Sequence, residues 1–312
     1  MKIGLIDVDS KIANLALMKI SAYHKKKGDT VIWYSIFEQF DIVYISKIFT
    51  FTPDYVQAIT NAKKVIKGGT GYGTDNKLEE DIDRTQPDYT IYPDWDKKTA
   101  LGFLTRGCPN NCAWCIVPHK EGFIVPYMDI EEITQGYKFK RAVLLDNNIL
   151  GIRDYAIDQL KKIIEHDIRI DFNQAMDARL VDEEIAMLLS NCKWIDNRIR
   201  FGCDTQPQIK HCERVIMLLR NLGFKGEFLL YTIIKGEIEE CYNRVSRWKK
   251  MPNVRCQSQP LRNLKGKTII PKWQMDMARW SNQKALYMSC DFKDYEPRKG
   301  FKCIQYFKND GI

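Results

Sequence analysis

The chain has 312 residues, 45% of them hydrophobic, a net charge of +8 and ten cysteines. That is enough apolar material for two cores, or for one barrel with an appendage. No run of 18 apolar residues is present, which excludes a membrane-spanning helix, and the opening MKIGLIDVDS lacks the basic and apolar regions of a leader, so a cytoplasmic protein with reduced thiols is expected.

In chain order, KIGLIDV reads as a short apolar strand. Asp9 or Ser10 is then expected to cap a helix over 12–27 with Ala13, Ala16, Leu17, Ile20 and Tyr23 on one face. Lys25, Lys26 and Lys27 complement its C-terminal dipole, and Gly28 stops it. Strands at 31–34 and 41–46 follow, then a helix from Pro53 and a strand at 65–69. This alternation predicts a small doubly wound, Rossmann-like parallel sheet over 1–86. After Gly73 the chain turns polar and acidic where a flavodoxin-sized domain would still need a strand and a helix. Gly68-Gly69-Thr70-Gly71-Tyr72-Gly73 reads as a packing turn or a phosphate cradle. The Pro-, Asp- and Tyr-rich segment 87–99 reads as a linker.

Beyond it the alternation lengthens. Strands are expected near 101–106, 142–146, 168–174, 198–203, 227–234 and 253–258, with helices at 129–139, 153–166, 181–191, 207–222 and 237–250. Residues 100–260 are therefore read as a barrel of βα units, whose chemistry belongs at the C-terminal strand ends. Residues 261–312 form an extension with one helix, 273–285, packed on the barrel and then closing over its mouth. The excess positive charge lies after residue 100 and is densest in 241–275. There Arg244, Arg247, Lys249, Lys250, Arg255, Arg262, Lys265, Lys267 and Lys272 stand with Trp248 and Trp273 and no acidic residue. Such a stretch suits an anionic or nucleic-acid partner, and equally a solvated face.

The first barrel strand runs into Cys108-Pro109-Asn110-Asn111-Cys112-Ala113-Trp114-Cys115. Gly107 and Pro109 turn the backbone so that one loop can wrap three thiolates around one inorganic centre. A 4Fe-4S cube held by three cysteines keeps one iron open for chemistry. His119 also completes C-x3-C-x2-C-x3-H, a legal zinc set. Cys192, Cys203, Cys212, Cys241, Cys256, Cys290 and Cys303 lack metal-like spacing and read as small buried hydrophobes; a second cluster on Cys256, Cys290 and Cys303 is the alternative.

With Trp114 as its aromatic, the loop C-x3-C-x-aromatic-C resembles the signature of the radical S-adenosylmethionine (SAM) superfamily. The resemblance implies a partial (β/α)6 barrel, a 4Fe-4S cluster on Cys108, Cys112 and Cys115, and SAM chelated at the open iron. It also implies a ferredoxin- or flavodoxin-type electron donor. Where the family has Gly-Gly-Glu, Asp146-Asn147-Asn148 would offer backbone carbonyls to the SAM ammonium. Arg179 would pair with the SAM carboxylate, and Asp204 would hold the ribose hydroxyls. The family's adenine element is matched by Thr232-Ile233-Ile234-Lys235-Gly236-Glu237-Ile238-Glu239, with Ile234 packing on adenine and Glu239 supporting the turn.

The N-terminal unit resembles a truncated form of the cobalamin-binding domain of one radical SAM branch, with Gly68-Gly69 matching its glycine turn. The D-x-H-x-x-G motif is missing, since its nearest counterpart, Asp7-Val8-Asp9-Ser10, has no histidine; His24, among lysines, reads as a solvated helix residue. Because the unit lacks its final strand and helix, it is expected to fold without needing cobalamin. The function implied is reductive cleavage of SAM to a 5'-deoxyadenosyl radical that abstracts hydrogen from a substrate. The alternatives are cobalamin-dependent methyl transfer and a noncatalytic zinc or iron-sulfur protein that binds nucleic acid.

Overall fold

The computed structural model describes residues 1–262 and 269–308, and the chain divides into two compact units, Met1–Gly102 and Phe103–Ile312. The first is built on β1 (Lys2–Asp7), α1 (Leu15–Lys26), β2 (Thr30–Trp33), β3 (Phe40–Ser46) and β4 (Ala62–Gly68). Its strands are all parallel in the order β2-β1-β3-β4. The helix α1 buries Leu15, Leu17, Met18 and Ile20. Within the sheet, Ile6 packs with Phe40, Val43 and Ile45 beneath Tyr34, Tyr55, Ile59 and Tyr72.

Several expectations for this unit change. The cap of α1 is Asn14, whose side chain accepts from the Leu17 amide. Asp9 is unavailable because its carboxylate holds the amides of Ile48 and Phe49 beyond β3, and Ser10 instead donates to Asp7. No helix forms from Pro53. Val56, Ile59 and Thr60 are weak helix formers, and two turns gain too little to nucleate. Asp54 is held instead by Lys47. His24 is buried at 3% exposure, with Nδ1 2.7 Å from Asp29 and Nε2 3.1 Å from the Tyr44 hydroxyl, and is no solvated residue.

The segment 87–99 is tied down rather than linking. After α2 (Glu80–Asp83), Asp88 accepts from Ser21 and Lys25, Tyr92 donates to Asp7, and the Trp33 indole donates to the Ile91 carbonyl. Burial opposes ionisation of Asp88, but its bonds from Lys25, Ser21 and Thr90 hold the carboxyl down at about 2. The unit ends in β5 (Thr99–Gly102).

In the second unit the expected strand 101–106 is interrupted, and only β6 (Thr105–Arg106) follows β5, paired antiparallel with β7 (Val125–Pro126). The cause lies in the amides of Leu104 and Thr105, which donate to the buried carboxylate of Asp146 and not to a neighbouring strand. Between β6 and β7 lies α3 (Val117–Lys120). The next helix, α4, is a single turn, Ile130–Ile133, because the chain enters left-handed conformations at Gln135 and Tyr137.

Strand and helix then alternate: β8 (Arg141–Leu144), α5 (Arg153–Glu165), β9 (Arg169–Phe172), α6 (Glu183–Asn191), β10 (Lys193–Trp194), β11 (Arg198–Gly202), α7 (Gln206–Asn221), β12 (Glu227–Ile234), α8 (Ile238–Arg247) and β13 (Val254–Pro260). Parallel pairs β8–β9, β9–β10, β11–β12 and β12–β13 form two sheets, joined by a parallel bridge between Met176 and Phe201. The extension folds as two helices, α9 (Lys272–Asn282) and α10 (Lys284–Ser289), and Asn282 clamps Ser258 of β13 through both its side-chain oxygen and nitrogen.

The basic stretch is dispersed by this fold. The buried face of α8 carries Ile238, Cys241 and Val245, and helical spacing puts Arg244 on it, at 1% exposure, with Trp248 buried just beyond. Arg247 pairs with Glu213, Arg255 with Glu227, and Lys249 donates to the Cys290 carbonyl. Lys250 and Lys272 are exposed, while Lys265 and Lys267 lie outside the described residues.

Candidate functional site: a three-cysteine loop on parallel strand ends

The loop after β6 is shaped by a glycine. Gly107 has φ +82, and a Cβ there would lie 2.4 Å from the Phe123 carbonyl oxygen, so no side chain fits. Closing the loop, the Cys108 amide donates to the Gly122 carbonyl and the Cys115 amide to the Cys112 carbonyl. All three cysteines are free and half-buried. Burial pushes each thiol up, and Cys108 is raised further by Cys115 and Cys112.

Glu121 is the inner brace of the loop. One carboxylate oxygen takes Arg106 at 2.9 Å, and the other takes the Gly107 amide and the side chain of Asn147, both at 3.0 Å. Asn147 follows β8, so this brace ties the loop to a strand end. Beside it, Asp146 is fully buried and accepts from the Leu104 amide and from the amide and hydroxyl of Thr105. Desolvation raises its carboxyl to about 6 despite those three donors. Its side chain thus anchors the strand that delivers Cys108, and only its backbone remains for a ligand.

A second brace reaches the end of β9. Asn110 donates to Asp177 at 3.0 Å and accepts from Arg179 at 3.1 Å, while Arg179 and Asp177 form an ion pair at 2.5 Å. Arg179 is therefore beside the cysteines, where its charge acts on Cys112, but it is committed through Nε and one Nη to Asp177. Asn148 accepts the Asp177 amide at 3.4 Å and is 3% exposed; its own Nδ2 has no partner among the described residues. A buried amide donor left over at a strand end is costly unless a ligand meets it.

Asp204, after β11, accepts the Ile233 amide of β12 at 2.8 Å. Its carboxyl is raised, chiefly by burial, and its charge in turn acts on Cys112 and Cys115. Beyond β12, the Lys235 ammonium sits 3.1 Å from the centroid of the Trp114 ring. Ile234 is fully buried on the strand face shared with Phe228, Leu230 and Thr232. Tyr231 and Ile233 occupy the opposite, more open face, so a ring arriving there would meet Ile233 and only the backbone of Ile234. Glu239 is exposed in the first turn of α8.

The site thus gathers Cys108, Cys112, Cys115, Trp114, Asp146, Asn147, Asn148, Arg179 and Asp204 around the ends of four parallel strands. Sequence reasoning missed Glu121, Asn110 and Lys235. Glu121 and Asn110 carry no spacing signal, whereas Lys235 could have been flagged as a cation at a predicted strand's C-terminal end.

Two kinds of metal centre use donors of this type. Among the described residues no three His, Cys, Asp or Glu side chains converge on a point where one metal ion could sit. His119 is exposed on α3. Three thiolates on one loop are the donors that a 4Fe-4S cluster with one open iron uses, whereas a closed zinc set would also need His119. Among the described residues Cys256, Cys290 and Cys303 form no three-ligand group either, although Cys290 acts on the Cys303 thiol; Cys256 and Cys303 are buried.

The chain is similar to the structure of the radical S-adenosylmethionine methyltransferase TsrM from Kitasatospora setae, with cobalamin and a [4Fe-4S] cluster bound, at a TM-score of 0.61 and 12% sequence identity. The match covers 84% of this chain and 75% of that one. The two chains share a fold. No family model and no curated protein matches the sequence. In this α/β fold of parallel strands the cysteine loop occupies the C-terminal side of the strands, the side on which such sheets place their chemistry.

Proposed function

We propose that the protein is a radical SAM enzyme whose cysteine loop holds a 4Fe-4S cluster through Cys108, Cys112 and Cys115. The observation that carries the reading is the half-buried three-thiolate loop, braced to parallel strand ends, on a fold shared with that radical SAM methyltransferase. When bound, such a cluster supplies the electron that splits SAM to a 5'-deoxyadenosyl radical, which abstracts hydrogen from the substrate. The chain's own residues position and enclose. Glu121 and Asp146 fix the backbone on either side of Arg106, and Asn148 directs an unpaired amide from the end of β8. The Nη1 of Arg179, which makes no hydrogen bond among the described residues, is left to meet the SAM carboxylate. Asp204, with one oxygen on Ile233, keeps the other for ribose hydroxyls. A ferredoxin or flavodoxin in the cytoplasm is the proposed electron donor.

The test is anaerobic reconstitution followed by iron and sulfide analysis and by assay of 5'-deoxyadenosine from SAM with dithionite. The reading expects one cluster per chain and SAM cleavage, both lost in Cys112→Ala. Stoichiometric zinc without iron, or a full cluster in that variant, overturns it.

A second reading, cobalamin-dependent methyl transfer, is favoured by the cobalamin bound in the similar structure. Against it stands the size of the first unit. Its parallel sheet, β2-β1-β3-β4, stops at four strands among the described residues, without the further strand and helix of a flavodoxin-sized domain. The glycine turn itself does not decide, since a Cβ at Gly69 would lie 2.4 Å from the Lys47 carbonyl oxygen while one at Gly68 would meet nothing within 4 Å. We therefore read the unit as a reduced domain that does not require the corrin. Retention of about one equivalent of hydroxocobalamin through gel filtration, with cobalamin-dependent product, would reverse that preference.

A further inference from the structure

The two halves of the cysteine loop are fastened differently. Residues 107–110 are held by hydrogen bonds, from Gly107 to Glu121 and between Asn110 and the Asp177–Arg179 pair. The later half, which carries Cys112 and Cys115, has the bond from the Cys115 amide to the Cys112 carbonyl and a long contact of the Val117 amide to the Cys115 sulfur at 3.5 Å. Both are internal to the segment. Among the described residues, what ties it to the barrel is Trp114, on whose ring Lys235 rests at 3.1 Å from the centroid. Lys235 itself is firmly placed, since it directly follows β12, whose register with β13 runs up to Ile234.

We infer that Lys235 is a positioning residue for the cluster-bearing loop: it pins Trp114, and so Cys112 and Cys115, to the end of β12, and it brings a positive charge beside the centre those thiolates hold. The inference rests on the proposed cluster for its charge effect but not for the pinning. Indole is the best side-chain ring for a cation–π contact, and the attraction strengthens where water is excluded. A cation near an iron-sulfur centre also favours the reduced, more negative state.

Amide hydrogen exchange on metal-free protein separates the two parts. In Lys235→Met, amides of residues 112–116 should exchange about two- to thirty-fold faster than in the parent. Exchange in β12 should be unchanged, and Lys235→Arg should restore protection because its guanidinium also stacks on indole. Unchanged exchange at 112–116 in Lys235→Met overturns the pinning. In reconstituted protein, redox titration followed by electron paramagnetic resonance should place the Lys235→Met cluster at a lower potential than the parent, with Lys235→Arg near the parent. Equal potentials would remove the charge effect. A parent chain that takes up no iron would sink the radical SAM reading, while exchange alone would still decide the pinning.

Discussion

Replacing Asp146 by asparagine tests whether its buried carboxylate anchors the strand that delivers Cys108. In the parent the two carboxylate oxygens accept from the Leu104 amide at 3.1 Å, the Thr105 amide at 2.6 Å and the Thr105 hydroxyl at 2.7 Å. Asparagine keeps one acceptor oxygen and turns an NH2 toward the remaining donor, and a buried donor left without a partner costs about 1–3 kcal/mol. The parent meets an opposing cost of its own, because burial holds the Asp146 carboxyl at about 6. Below a pH of about 4 both folded and unfolded chains carry the proton. Between about 4 and 6 only the folded chain keeps it, so the unfolded state binds fewer protons and stability falls by about 3 kcal/mol across that window. Asp146→Asn has no such proton to lose. Its deficit should therefore be largest near pH 4 and should shrink by about 3 kcal/mol by pH 7, closing or reversing. Urea unfolding followed by tryptophan fluorescence at several pH values reads this directly. Parallel stability curves for parent and variant would refute the account of Asp146.

Gly107→Ala forces a Cβ against the Phe123 carbonyl in a left-handed conformation; it should lose cluster binding on reconstitution, measured as iron per chain, while far-ultraviolet circular dichroism stays close to the parent's. Arg179→Ala should leave the cluster intact but weaken SAM binding roughly ten- to a hundred-fold by calorimetry, the share of a charge-assisted contact worth about 1.5–3 kcal/mol. Paired replacement of Arg179 and Asp177 should cost less stability than Arg179→Ala alone, because the single change strands a buried carboxylate. His24→Ala removes bonds to Asp29 and Tyr44 inside the first unit and should lower its unfolding free energy by about 2–4 kcal/mol.

Local pattern carried much of this protein. Alternating apolar runs and capped helices between 140 and 258 placed β8, β9, β11 to β13 and α5 to α8 within a few residues, because each of these elements buries one face and its period follows from that; the two-residue β10 was too short to carry a pattern. The cysteine spacing, with Gly107 and Pro109, likewise identified the loop, since three thiolates on eight residues have few bland uses. What the chain order could not show is which side chains spend their hydrogen bonds on each other. Asp146, Asp9 and Arg244 look like ligands or caps or surface charges in one dimension. In three dimensions they hold amides and carbonyls that would otherwise be buried without partners. The same accounting moved the cap of α1 to Asn14, tied 87–99 to the first sheet, and brought Lys235 onto Trp114 across more than a hundred residues. Such pairings are decided by packing, because desolvating a charge without a partner costs more than any local propensity can return.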